Sequence, residues 1–164
     1  MEWMILPLKR YFDFSGRSRR KEYWMFLLFT VLANIVLGTL DSLLGLNFGE
    51  DEGVRDNGIL TSIFSLVTFV PSISVAVRRL HDTDRTGWWL LFPLLAIFAL
   101  IIAFAPSVGF SERDFQPGPG FMNALGVGAL SFLVPIVFFC LDGTRGPNRF
   151  GEDPKGVAFD GVFD

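Results

Sequence analysis

One cysteine, one histidine and two tyrosines are all that this chain of 164 residues offers to thiol, imidazole or phenol chemistry. The lone Cys140 excludes an internal disulfide, and its place in an apolar run reads as a small buried hydrophobe. With His81 the only histidine, a set of transition-metal ligands cannot be assembled, and neither a metal nor another cofactor is expected. Charge is also scarce, at 19% of residues with a net charge of -3. What replaces these groups is apolar: 51% of the residues are hydrophobic, 15% are aromatic and 19 are Phe. The mean hydropathy is +0.45. A soluble domain this short cannot hide so many apolar groups in one core, because surface is a large share of any small protein. Lipid is therefore the expected solvent.

A hydrocarbon layer about 30 Å thick needs about 20 mostly apolar residues of helix, because each backbone N–H and C=O must find its partner inside the segment. Four stretches qualify, at 23–46, 59–77, 88–105 and 121–141. The third is bounded by Pro93 and Pro106, and a re-entrant hairpin is the alternative there. The first follows a long basic segment without a small-residue cleavage site, so it reads as a retained anchor. All the Lys and Arg residues outside the spans, except Arg55 and Arg113, fall in alternate segments: before the first span, between the second and third, and after the fourth. Cytoplasmic segments are the ones that keep positive charge, so both termini are expected inside the cell. Acidic Glu50, Asp51, Glu52, Asp56, Glu112 and Asp114 fall in the opposite loops. Trp24, Trp88 and Trp89 sit at the expected inner span ends, where an amphipathic ring favours the headgroup layer. Ahead of the first span, Trp3, Met4, Leu6, Leu8, Tyr11, Phe12 and Phe14 alternate with Lys9 and Arg10, as in a segment lying along the interface. Pro7 argues against one long regular helix there. The expected fold is all-α: a four-helix transmembrane bundle, one membrane domain over residues 1–164, with an N-terminal interfacial segment and a cytoplasmic C-terminal loop.

Within the spans, Thr61, Ser65, Thr68 and Ser72 recur at helical spacing and share one face. Such a stripe is either a helix-packing seam or part of a hydrated groove. No ionisable residue stands at mid-depth beside it to mark a conduction path. Pro71 is expected to kink this helix, with a nearby Ser or Thr satisfying the freed carbonyl. Asn34, near the middle of the first span, needs a partner and is expected to face the stripe. Asp41 is expected to reach the outer interface as a solvated carboxylate. Ala124 and Gly128 form a small-xxx-small pair suited to close packing in the bundle or to dimerisation.

Three polar motifs flank the spans on the basic side: Gly16-Arg17-Ser18-Arg19-Arg20-Lys21-Glu22-Tyr23-Trp24, then Arg78-Arg79-Leu80-His81-Asp82-Thr83-Asp84-Arg85-Thr86-Gly87-Trp88-Trp89, then Asp142-Gly143-Thr144-Arg145-Gly146-Pro147-Asn148-Arg149-Phe150-Gly151-Glu152-Asp153-Pro154. With these motifs the chain closely resembles the YhaH-like family of small bacterial inner-membrane proteins, a domain of unknown function, over nearly its whole length. It departs from the usual pattern at Asp84, where the family tends to have Gly, and at Glu152, where Pro is common. The resemblance implies a multi-pass inner-membrane location and carries no catalytic residues.

The motifs are expected to meet on one face, because a short loop makes the second and third spans a hairpin. Arg78, Arg79 and Arg85 are expected to be balanced by Asp82 and Asp84, and the first cluster by Glu22. Such a face is either an ion-pair network that fixes the helices or an anion site, in which guanidinium groups and the Gly-rich 143–151 turn suit phosphate. The candidate residues for a headgroup or partner site are Arg17, Arg19, Arg20, Arg78, Arg79, His81, Asp82, Arg85, Arg145, Asn148 and Arg149. The third motif lacks the Gly-Lys-Ser/Thr ending of a P-loop, which argues against nucleotide binding. His81 is expected as an ion-paired interfacial side chain, not as half of a catalytic pair with Asp82.

These readings favour a non-enzymatic membrane protein whose inner face holds an anionic lipid headgroup or docks a membrane protein partner, with homo-oligomerisation open. The alternative is a small oligomeric transporter or channel subunit using the Thr61, Ser65, Thr68 and Ser72 face. A membrane enzyme acting through His81, Asp82 and nearby arginines is a third reading. Nucleic-acid binding is not expected, since topology already explains the basic residues.

Overall fold

The computed structural model describes residues 2–47, 58–104 and 119–156. They form α1 (Glu2–Lys9), α2 (Arg20–Leu44), α3 (Ile59–Asp82), a 3-10 turn (Gly87–Leu90), α4 (Leu91–Phe104) and α5 (Pro119–Cys140), with no strand among the described residues. The loop residues Glu50, Asp51, Glu52, Arg55, Asp56, Pro106, Glu112, Arg113 and Asp114 and the C-terminal Asp164 lie outside the described residues.

The all-α expectation holds, and α2 and α3 are each long and apolar enough to cross a membrane. Their 25 and 24 residues rise about 37 and 36 Å, more than a hydrocarbon layer of about 30 Å. The boundaries differ from the hydropathy reading in one informative place. α3 continues from Val77 to Asp82, so Arg78, Arg79, His81 and Asp82 are helical and not part of a loop. The third apolar stretch also starts later than expected, because Trp88 and Trp89 lie in the 3-10 turn and α4 has only 14 residues. That length rises about 21 Å.

Burial is inverted relative to a water-soluble domain. Among the described residues, buried polar or charged side chains outnumber buried hydrophobic ones, and the hydrophobic core is only Phe26, Val75, Ala76, Leu80 and Phe139. Outward, Leu43, Leu66 and Leu44 are 81%, 74% and 64% exposed. Isolated exposed leucines are ordinary, but long helices presenting them along their length need a solvent as apolar as they are. Cys140, expected to be buried, is exposed, at the last residue of a helix whose outer side is equally apolar.

The α2–α3 hairpin overturns the solvated reading of Asp41, which is fully buried. Its Oδ1 accepts the Leu60 N–H at 3.0 Å, and its Oδ2 accepts the Thr61 N–H at 2.9 Å and the Thr61 hydroxyl at 2.7 Å. The first turn of a helix has N–H groups without intrahelical partners and a partial positive charge, so a carboxylate brought from the preceding helix satisfies both. Gly58 makes the approach possible: a Cβ there would lie 2.0 Å from Asp41 Cγ.

Further along the same seam, the Ser65 hydroxyl donates to Asn34 Oδ1 at 3.4 Å, placing Asn34 opposite the stripe. Thr68 and Ser72 instead donate back to Phe64 O and Thr68 O of their own helix. Neither reaches the carbonyl that Pro71 leaves free. Pro71 has no N–H for the carbonyl four residues before it, and that carbonyl, Val67 O, accepts the Tyr11 hydroxyl at 2.8 Å. The expected Ser or Thr donor is thus replaced by a tyrosine from the N-terminal segment. The same segment is held by Ser74, whose hydroxyl donates to Asp13 O at 2.6 Å, while α1 packs across α2 and α3. Ala124 and Gly128 are one turn apart on α5, and their side chains lie outside the described ones.

Candidate functional site: an arginine clasp

α2 begins, and α3 and α5 end, at one pole of the molecule, where all three motifs converge. The last carbonyls of a helix have no partners of their own. At the end of α5 those acceptors go to arginines: Arg79 Nε donates to Phe139 O at 3.2 Å, another Arg79 N–H bonds to Leu141 O, and Arg20 reaches Cys140 O at 3.0 Å. A guanidinium, with five N–H donors in a rigid fork, serves several carbonyls at once where a lysine would serve them as a point charge.

Asp82 is the centre of the clasp. Arg17 Nε donates to its Oδ1 at 3.0 Å, and Arg79 bonds to its Oδ2. All three side chains are almost completely buried. Arg17 also donates to Gly146 O at 2.6 Å and to Thr144 O, tying the segment after α5 to the end of α3. From that segment Thr144 N–H returns a bond to Asp82 O at 2.8 Å. Gly143 is required by contact, since a Cβ there would lie 2.1 Å from Asp82 Oδ2. Asn148 Nδ2 donates to His81 O and to Thr144 Oγ1, both at 2.9 Å, and its Oδ1 accepts the Phe150 N–H.

A second buried pair joins α2 to α3, with Arg78 Nη2 at 3.2 Å from Glu22 Oε1. Ser18 N–H donates to Arg78 O at 3.1 Å. The pairing is therefore crossed between motifs: Asp82 serves Arg17 as well as Arg79, and Glu22 serves Arg78. The expected balance within each motif is corrected accordingly. Arg85 has no carboxylate partner among the described residues; it lies 4.0 Å from the Phe138 ring centre and donates to Thr83 O. Nor is His81 ion-paired among the described residues. Its Nδ1 donates to Gly16 O at 3.1 Å while its ring stacks on Phe150 at 3.9 Å and 3°. His81 and Asp82, adjacent in sequence, thus serve different partners and form no acid–base couple.

Around this buried centre the contacts are exposed. Arg149 pairs with Asp84 at 3.1 Å. Asp84 itself has φ 57°, a left-handed conformation that suits Gly and that Asp tolerates, which explains why Gly fits this position in the resembled family. Arg19 bonds to Pro154 O and lies 5.6 Å from the Trp3 ring. Asp142 accepts Arg20 and Lys155, and those cations hold its carboxyl below the usual range. Asp153 is held low as well, mainly by the Lys155 N–H, against burial and with help from Gly146 N–H. Arg145 is exposed, and no hydrogen bond or ion pair holds it among the described residues. Of the candidate anion-site residues, Arg17, Arg78, Arg79 and Asp82 are thus buried in the clasp, and Arg145 is exposed without an ion pair among the described residues. Sequence reasoning read the 143–151 turn as part of this face but did not single out Gly143, Thr144 and Phe150 within it.

Residues 11–152, which hold the first two motifs whole and the third up to Glu152, match the family described as "Protein of unknown function (DUF805)". The chain belongs to the DUF805 family. The DUF805 chain is 40% identical to inner membrane protein YhaH of Escherichia coli strain K12, over 94% of its own length and 98% of YhaH. Its identity to inner membrane protein YhaI of the same strain is 36%, over 94% of the chain and 97% of YhaI. The uncharacterized protein YiiR is 29% identical over 90% of both chains. No solved structure matches the DUF805 chain. Together with the apolar exterior, the family establishes a membrane protein.

Proposed function

We propose that the chain is a non-enzymatic, four-pass protein of the bacterial inner membrane with both termini in the cytoplasm. On this reading the arginine clasp is structural, and the exposed rim around it binds anionic lipid headgroups. One observation carries the proposal: Arg17, Arg78 and Arg79 are buried against Asp82, Glu22 and carbonyl oxygens, whereas Lys9 and Lys21 are exposed without a carboxylate partner among the described residues. Lys21 lies 6.0 Å from the Trp3 ring, and Phe12 and Trp88 are both 75% exposed. Cations beside amphipathic rings fit a headgroup layer of negative charge.

Nanodiscs containing phosphatidylglycerol and phosphatidylcholine, analysed by native mass spectrometry, test this. The protein is expected to retain phosphatidylglycerol preferentially, and Lys9→Gln with Lys21→Gln to weaken that preference by about 1 kcal/mol, or roughly fivefold, per charge. Equal retention of the two lipids by the unaltered protein would refute the lipid reading. An outward-facing signal from a reporter fused after Asp164 would refute the topology. The transporter alternative draws no support from the stripe, because Thr61 and Ser65 bond to Asp41 and Asn34, and Thr68 and Ser72 to their own helix.

A further inference from the structure

Beside the clasp lies a cavity of about 260 Å³ lined by Asp82, Asp142, Gly143, Thr144, Arg145, Asp153 and Lys155. It is far larger than the roughly 30 Å³ that one water occupies in the liquid and slightly below the roughly 300–1,000 Å³ of sites for drug-sized ligands. A small polar molecule is the matching size class.

Its lining carries both signs of charge, and the charges differ in how far they are already satisfied. Asp82 is held by Arg17 and Arg79, and Asp142 by Arg20 and Lys155. Asp153 instead accepts only backbone N–H groups, from Gly146 at 3.1 Å and Lys155 at 2.8 Å. Arg145 has no hydrogen-bond or ion-pair partner among the described residues. Arg17 and Lys155 act on Asp153 only at longer range, so one carboxylate without a direct ion pair and one cation without a carboxylate line the same cavity among the described residues. They do not neutralise each other by a direct pair, as Arg149 and Asp84 do nearby. A ligand with an anionic and a cationic group a few bonds apart would satisfy both.

The place narrows the chemistry further. Asp142 follows α5 by two residues, and its partner Arg20 opens α2, so the cavity sits at the ends of apolar helices, level with lipid headgroups if they cross the membrane. We infer that this cavity binds a primary-amine phosphate, with the phosphate against Arg145 and Lys155 and the ammonium donating to Asp153. The headgroup of phosphatidylethanolamine and free phosphoethanolamine share this chemistry. The site goes beyond the rim binding proposed above, because it requires a zwitterion and uses neither Lys9 nor Lys21.

The test uses the full chain in nanodiscs of phosphatidylcholine doped with phosphatidylethanolamine, read by native mass spectrometry. Phosphatidylethanolamine is expected to be retained over phosphatidylcholine, whose quaternary ammonium has no N–H to donate. Arg145→Ala and Asp153→Asn should each reduce retention by about tenfold, the loss expected for one charge-assisted contact. Arg145 is exposed and holds no hydrogen bond or ion pair among the described residues, so its variant keeps the test decisive even if Asp153→Asn loosens the loop. Competition by free phosphoethanolamine would assign a soluble ligand, and its failure to compete, with the lipid still retained, would assign the membrane lipid. Equal retention of the two zwitterionic lipids, or retention unchanged in Arg145→Ala, would overturn the inference. Lys9→Gln with Lys21→Gln should leave phosphatidylethanolamine retention intact, which separates this site from the rim.

Discussion

Asp82→Asn is the sharpest perturbation of the clasp, because it removes one charge and almost no volume. In the native protein that carboxylate meets Arg17 on one oxygen and Arg79 on the other, with side-chain exposures of 1% and 0% for the two arginines. Removing one partner of a buried ion pair typically costs about 3–5 kcal/mol, because the remaining charge stays desolvated. Two pairs share this carboxylate, so their costs do not add. Both guanidinium groups also keep carbonyl acceptors, at Thr144 and Gly146 for Arg17 and at Phe139 and Leu141 for Arg79. These remaining bonds place the expected loss near the lower end, about 3 kcal/mol, which is a large fraction of the roughly 5–15 kcal/mol that holds an ordinary domain folded. Retention of the monodisperse protein in detergent, followed against temperature, reads the effect. Asp142→Asn is the matched control, since its carboxylate is largely exposed and pairs of that kind contribute little. Gly143→Ala approaches the same carboxylate sterically and should destabilise by about 1–3 kcal/mol through overpacking. If Asp82→Asn melted with Asp142→Asn, the claim that the buried charges organise this face would be wrong.

Tyr11→Phe leaves Val67 O without its donor and should cost about 1–3 kcal/mol. In a Pro71→Ala background, where a backbone N–H can return to that carbonyl, the same change should cost much less; equal costs in a double-mutant cycle would dismiss the link. Asp142 and Asp153 have folded pKa values below that of a free carboxyl, so their contribution is complete above the unfolded value of about 3.9 and is lost as pH falls through the lower folded values. Thermal midpoints of the native chain should thus lose this contribution only below about pH 4, and Asp142→Asn with Asp153→Asn should flatten that part of the profile. A decline already complete at mildly acidic pH would assign the sensitivity to other groups.

The two long apolar helices were legible because hydrocarbon leaves a run of apolar residues little choice but a helix, and 25 residues from Arg20 to Leu44 follow that rule. The end of α3 was misread for the opposite reason: Arg78 and Arg79 depress hydropathy, although the three- and four-residue spacings to Asp82 put all of them within one helical neighbourhood. Asp41 was placed by depth alone, and depth does not tell whether a carboxylate faces solvent or the unpaired N–H groups of the next helix. The signal was local and small, a glycine immediately before Ile59, where any side chain would collide with that carboxylate. Pro71 announced a missing hydrogen bond but not its replacement, since Tyr11 is 56 residues from Val67 in sequence. The Arg17–Asp82 contact, separated by 65 residues, is of the same kind. A chain whose exterior is apolar cannot leave guanidinium groups along its sides, so they gather where helices end and unpaired carbonyls are available. That requirement is visible in composition and spacing. Which carbonyls close around each arginine is decided only by packing, and here the packing brings the segment after α5 back over the end of α3.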